Sequence, residues 1–150
     1  MNDEISLLSH SLARAASRVL MEGSFLFTLE ADEDAELPAP FIAARVQLRT
    51  EDQPVLWVDF SVQEALAVEI TQSHLGETGP VEAEDVRNTI AELVNVIAGA
   101  FARLVVAPGN LCSIGSPMLR TEALPEGGAG VMLTTDNGQP LRVWLWAEGQ

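Results

Sequence analysis

Asn88-Thr89-Ile90-Ala91-Glu92-Leu93-Val94-Asn95-Val96-Ile97-Ala98-Gly99 decides how this chain is read, because its apolar residues recur at helical spacing. At about 100° per residue, Val86, Ile90, Val94, Ile97, Phe101 and Leu104 share one side of a helix. Asp85, Asn88, Glu92, Asn95, Gly99 and Arg103 share the other. The spacing predicts a helix over residues 81–106 that buries the first face and displays the second. Glu82, Glu84 and Asp85 complement the dipole in its first turn, and Pro108-Gly109 ends it. Residues three apart on a helix have Cβ atoms about 5–6 Å apart, so Glu92 and Asn95 form a carboxylate–amide pair. Gly99 costs about 1 kcal/mol relative to Ala in a helix interior, and it lets another surface approach the backbone. Two readings of this stripe stand open: a solvated polar face, or a pair held out for a partner.

Upstream, residues 62–75 read as a helix with Leu66, Ala67, Ile70 and Leu75 inward, broken by Gly76-Glu77-Thr78-Gly79-Pro80. Before it, Ile42, Ala44, Val46 and Leu48 alternate with Ala43, Arg45, Gln47 and Arg49, the pattern of a strand with one wet face. Glu51-Asp52-Gln53-Pro54 turns the chain, and residues 55–60 return as a second strand. Ile5, Leu8, Leu12, Ala16, Val19 and Leu20 predict a first helix over residues 4–21, stopped by Gly23. Residues 25–29 read as a short strand. Residues 30–40, with five acids and two prolines, read as a solvated loop.

Downstream, residues 111–114 are a candidate strand, and residues 130–135 and 141–146 form a hairpin through Asp136-Asn137-Gly138. Leu141, Val143 and Leu145 share one face of the last strand; Arg142, Trp144 and Trp146 share the other. The two indoles are covered either by another subunit or by the chain's own helices. The order of elements predicts one α+β domain over residues 1–150, an antiparallel sheet with three helices layered on one face.

The formal net charge of −14 argues against nucleic acid and anionic membrane surfaces as partners. It favours a partner that presents a local basic group. No apolar run approaches the roughly 18 or more residues needed to span a bilayer. The acidic Met1-Asn2-Asp3-Glu4 lacks the basic start of a secretory signal, and the lone Cys112 allows no internal disulfide. The expectation is a cytoplasmic protein.

Self-contained catalytic chemistry is poorly represented. His10 and His74 have no metal-ligand companions at the required spacing, so no metal site is expected. Cys112 has no nearby base and reads as a small hydrophobe. Gly127-Gly128-Ala129-Gly130 lacks the Lys-Ser/Thr of a phosphate loop and reads as a flexible turn. Ser113 and Ser116 lack the setting of a nucleophile elbow.

Glu92-Leu93-Val94-Asn95-Val96-Ile97-Ala98-Gly99, followed by Pro117, resembles the signature of the CheX/CheC chemotaxis phosphatases. That signature has Asp or Ser, Glu four residues on, Asn three further, and Pro a little over twenty later. Asn88 stands at the Asp/Ser position, and the interval to Pro117 is slightly short. A single Glu-x-x-Asn is similar to the one-site CheX type. The resemblance implies a phosphatase for the aspartyl phosphate of a CheY-type response regulator, whose site holds Mg²⁺ and a Lys. It implies that Asn95 orients the attacking water and Glu92 pairs with the regulator's Lys. Asn88, Val96 and Gly99 then contact the partner, and no cofactor of the chain's own is needed. It also implies a homodimer. Asn88 keeps a second possibility open, a CheX-like binding module or dimeric adaptor without turnover.

Overall fold

The computed structural model describes residues 2–31, 36–51 and 53–149. The centre of the expected acidic loop over residues 30–40, the middle of the turn over 51–54 and the terminal Met1 lie outside the described residues. The elements run α1 (Asn2–Ser24), β1 (Thr28–Glu30), β2 (Phe41–Thr50), β3 (Leu56–Gln63), α2 (Glu64–Leu75), α3 (Ala83–Val105), β4 (Cys112–Ile114), β5 (Met118–Leu119), β6 (Ala129–Thr135) and β7 (Pro140–Ala147). The seven strands make one antiparallel sheet in the order β1-β6-β7-β3-β2-β4, with β5 beside β2.

Alternation sets the two faces of that sheet. Ala44, Val46, Leu48, Val58, Phe60, Val62, Leu141, Val143, Leu145, Val131 and Leu133 point to one side and are buried. There they join Leu12, Ala16 and Leu20 of α1, Leu66, Ala67 and Ile70 of α2, and Ile90, Val94, Ile97 and Phe101 of α3 in one cluster. All three helices therefore lie on one face of the sheet, the α+β arrangement expected from the order of elements. Each fully buried Leu, Ile, Val or Phe removes enough apolar surface to contribute roughly 1.5–3 kcal/mol.

Several boundaries differ from expectation. Gly23 does not stop α1, which runs on to Ser24; Phe25 then takes a left-handed φ of 55°. The Leu26 N–H donates to the Leu20 carbonyl at 3.1 Å, closing a helix-end motif in which glycine usually holds the left-handed position. Val62 belongs to β3 and not to α2, because strand alternation continues through it into the core. Leu75 and Leu104, expected inward, are 49% and 51% exposed: Leu75 is the last residue of α2, and Leu104, next to last in α3, lines an open groove against α1. The strand β5 had no sequence signal, since two residues carry no period.

The opposite face of the sheet holds a polar and aromatic layer. Asp59 on β3 is fully buried, and Arg120, just after β5, reaches across to it. Arg120 Nη2 donates to Asp59 Oδ1 at 3.2 Å and to Ser61 Oγ at 3.0 Å, while Ser61 Oγ donates to Asp59 Oδ1 at 2.7 Å. Trp57 and Trp146 stack with centroids 5.9 Å apart, and the Arg45 guanidinium lies 4.9 Å from the Trp57 ring centre. Trp144 lies against Gly128 and Gly130, where a Cβ at either position would overlap the indole. Trp144 and Trp146 are thus half-buried on the face away from the helices, so the chain's own helices do not cover them. Gly130 is a strand residue and not a flexible turn: its missing side chain is what lets the indole lie down.

Helix α3 is long and apolar enough to cross a membrane by length and composition, although no apolar run of that length was expected from the sequence. Its apolar face is nevertheless committed to the sheet, with Val86, Ile90, Leu93, Val94, Ile97, Ala98 and Phe101 all buried.

Candidate functional site

The core side of α3 fixes its rotation, and the rotation decides what the other side shows. Asn88, Glu92 and Asn95 are all exposed, while Thr89, Leu93 and Val94 between them are buried. The helix therefore holds the carboxylate and the amide outward from a rod whose opposite face is anchored to β2 and β3. Val96, beside Asn95, is 48% exposed and adds an apolar step. Among the described residues Glu92 enters no ion pair, so its charge is available to another molecule.

Gly99 is half-buried one turn beyond Asn95. A Cβ built there would meet Ile114 Cδ1 at 3.7 Å and Arg103 Nη1 at 4.0 Å, both ordinary contacts. The fold does not require glycine at this position, although glycine in a helix interior costs about 1 kcal/mol. Bare backbone here suits close approach from outside.

Beside α3 runs the broken edge of the sheet. Both β4 and β5 contact the helix, and Pro117 sits half-buried in the segment that joins them. The Gly115 N–H donates to the Gln47 carbonyl and the Arg120 N–H to the Ala43 carbonyl, each at 2.9 Å, so the segment is tied to β2 on both sides of the proline. A proline tolerates this edge because its missing N–H has no ladder bond to make. Met118 and Leu119 are exposed along it at 47% and 40%. Periodicity could not find this ledge; the one sequence signal was Ser116-Pro117 itself.

The remaining chemistry-bearing residues stand elsewhere. His10 Nδ1 lies 2.8 Å from Glu30 Oε1 on the surface of α1, and His74 Nε2 lies 3.0 Å from Ser24 Oγ. Among the described residues no three His, Cys, Asp or Glu side chains converge as a metal set. Cys112, expected to pack as a hydrophobe, is exposed on β4 because that strand lies at the sheet edge; the partial covering it has pushes its thiol pKa up, away from thiolate. The Trp57, Trp144 and Trp146 layer lies on the far side of the sheet from α3 and is no part of this site.

Comparison with known proteins bears on the same residues. The family model described as "Chemotaxis phosphatase CheX" matches residues 44–125, more than half the chain and a span that includes Asn88, Glu92, Asn95, Gly99 and Pro117. The fold is similar to the chemotaxis protein CheX of Vibrio vulnificus, with a TM-score of 0.76 at 16% identity over 92% of this chain and 94% of that one. A CheX from Desulfovibrio desulfuricans superposes at 0.75 with 12% identity, covering 94% and 99% of the two chains. The CheX of a CheX-CheY-BeF3-Mg²⁺ complex from Borrelia burgdorferi is similar at 0.69 with 16% identity over 91% and 94%. No curated protein matches by sequence. With the family model covering α2, α3 and the β4–β5 edge, this chain belongs to the CheX family of chemotaxis phosphatases.

Proposed function

We propose that this protein accelerates hydrolysis of the aspartyl phosphate on a CheY-type response regulator, with Asn95 and Glu92 entering the regulator's site. The observation that carries it is the outward projection of both side chains from a helix whose rotation the core has fixed. The Borrelia relative was solved with CheY, beryllium fluoride and Mg²⁺, which supports a regulator of that kind as partner.

Phosphoryl transfer needs positioning and charge compensation more than covalent help. An amide both donates and accepts, so Asn95 can hold a water in line with phosphorus without titrating. The water oxygen bonds to phosphorus as the bond to the aspartyl oxygen breaks; the products are free carboxylate and dihydrogen phosphate, which takes both protons of the water and can release one to solvent. Glu92 pairs with the regulator's active-site Lys and locks the register. The regulator brings the Mg²⁺ that its phosphate site uses. Val96 and Gly99 form the landing surface, and Asn88 contacts the partner at its margin. The setting is a cytoplasmic two-component circuit.

We infer that the protein is a homodimer. The edge strand β1 has a free outer side among the described residues, and Phe25, Phe27 and Leu29 are 82%, 63% and 76% exposed beside it. Apolar side chains along an open edge are what a symmetric strand pairing would cover.

The deciding experiment follows phosphate loss from a phosphorylated regulator with substoichiometric protein. Multiple turnovers that vanish in Asn95→Ala support the phosphatase. A non-catalytic binding module, the reading that Asn88 favours, instead gives a stable complex with unchanged phosphate lifetime.

A further inference from the structure

Arg103 occupies a position that the pair at Glu92 and Asn95 leaves unexplained. It is exposed, and among the described residues it enters no ion pair. Its side chain runs back toward the helix N-terminus, as long helical side chains do, and lies beside Gly99: Nη1 is 4.0 Å from where a Gly99 Cβ would stand. The stripe therefore reads, in order, carboxylate at Glu92, amide at Asn95, bare backbone at Gly99 and a guanidinium nitrogen beside it. Four residues of helix advance about 6 Å, so the guanidinium stands roughly one turn from Asn95, on the side opposite Glu92.

The surroundings strengthen the polarity. Arg14 and Arg18 of α1 line the same interhelical groove as Arg103, together with Glu22, which Arg18 holds at 2.9 Å. The chain has eight basic residues, all arginine, and a formal net charge of −14. Three of the eight meet here, at the end of the site stripe. The field of the whole molecule repels an acidic partner, and a local basic cluster is what offsets that repulsion at one spot.

On the proposed function, Glu92 meets an ammonium in the aspartyl-phosphate pocket. The same pocket holds Mg²⁺, a hard cation bound through oxygen, so it also carries carboxylates that a cation at the far end of the stripe can meet. A stripe with an anion at one end and a cation at the other fits such a pocket in one direction only.

We propose that Arg103 is a second docking residue, which pairs with a carboxylate on the acidic flank of the regulator's phosphorylation pocket and fixes the direction in which α3 lies across it. The proposal rests on the phosphatase reading for its partner, but its test does not need turnover. Regulator loaded with beryllium fluoride and Mg²⁺ is titrated with wild-type protein, Arg103→Glu, Arg103→Lys and Asn95→Ala, and the phosphate-lifetime assay is run in parallel. The expected result is about ten-fold or greater weakening of binding with a shallower salt dependence in R103E, and partial recovery with the wild-type salt dependence in R103K, which keeps the charge. In turnover, R103E raises KM with kcat nearly unchanged, whereas N95A lowers kcat. Unchanged binding in R103E overturns the proposal, whether or not the wild type turns over. A fall in kcat at constant KM also overturns it, because Arg103 would then act on the phosphoryl group and not on the rim. Wild-type binding without turnover removes the phosphatase reading and leaves Arg103 to be judged by the binding series; absence of wild-type binding removes both.

Discussion

Ile114 Cδ1 lies 3.7 Å from the point where a Cβ on Gly99 would stand, which is room enough for a methyl group. The fold therefore accepts a side chain at position 99, whereas the proposed docking surface favours none. Gly99→Ala is expected to stabilise the isolated protein by about 1 kcal/mol. It should raise KM for the phosphorylated regulator, and Gly99→Leu should raise it further. Denaturant melts and steady-state kinetics on the two variants check both halves; a stabilised G99L with parental KM would remove position 99 from the docking surface.

Glu92 and Asn95 should separate in kinetics. On the proposed mechanism Asn95→Ala removes a group that acts only as the water attacks, so kcat should fall roughly 10²–10³-fold, the range for losing one positioned polar group. Glu92→Ala should act mainly on KM and flatten its salt dependence, because the pair it loses is an ion pair in the encounter. Neither change should alter thermal stability, since both side chains are exposed.

The buried pair of Asp59 and Arg120 makes a claim about stability alone. Arg120→Met leaves the Asp59 carboxylate uncompensated and should destabilise the fold by about 3–5 kcal/mol. Adding Asp59→Leu should recover much of that loss, because an apolar pair needs no desolvated charge. Equal loss in the single and double variants would show that the network holds the β5 edge in place by its geometry and not merely by neutralising Asp59.

Phe25 is left-handed and 82% exposed, an unusual place for a bulky side chain. Phe25→Gly relieves strain of about 1–2 kcal/mol but frees the unfolded chain by up to about 1 kcal/mol, so monomer stability should move little. If Phe25 is covered by a second copy, the same substitution should shift sedimentation toward monomer, and Phe27→Glu more strongly. A wild type that sediments as monomer at every concentration would remove the dimer.

Gly130 offers a check on the face away from the helices. Gly130→Ala forces a methyl group into the Trp144 ring and should cost about 1–3 kcal/mol, with a change in tryptophan fluorescence. A flexible turn at this position would tolerate alanine.

Much of the fold was legible because the core is one-sided. A helix or strand that buries a single face carries its period in its own residues, so α1, α3, β2 and β7 could be read with boundaries close to those observed. Errors gathered where period gave no information. Gly23 suggests a stop because glycine ends many helices, yet α1 continues to Ser24. Leu75 and Leu104 keep the helical period into the last turn of their helices, where neighbouring elements no longer cover it.

Sequence by itself determined the stripe from Asn88 to Arg103, since helical spacing alone puts those residues on one side of a rod. It also carried the Glu-x-x-Asn signature and the α+β order of elements. Only the tertiary structure decided that the stripe faces outward beside the β4–β5 edge, that the Gly99 backbone is bare without any internal need, and that an Arg103 guanidinium nitrogen lies beside it. Asp59 meeting Arg120 across two strands belongs to the same class. A local period is set by the geometry of neighbouring residues, whereas these contacts join segments far apart in the chain, and no spacing along the sequence encodes the distance between them.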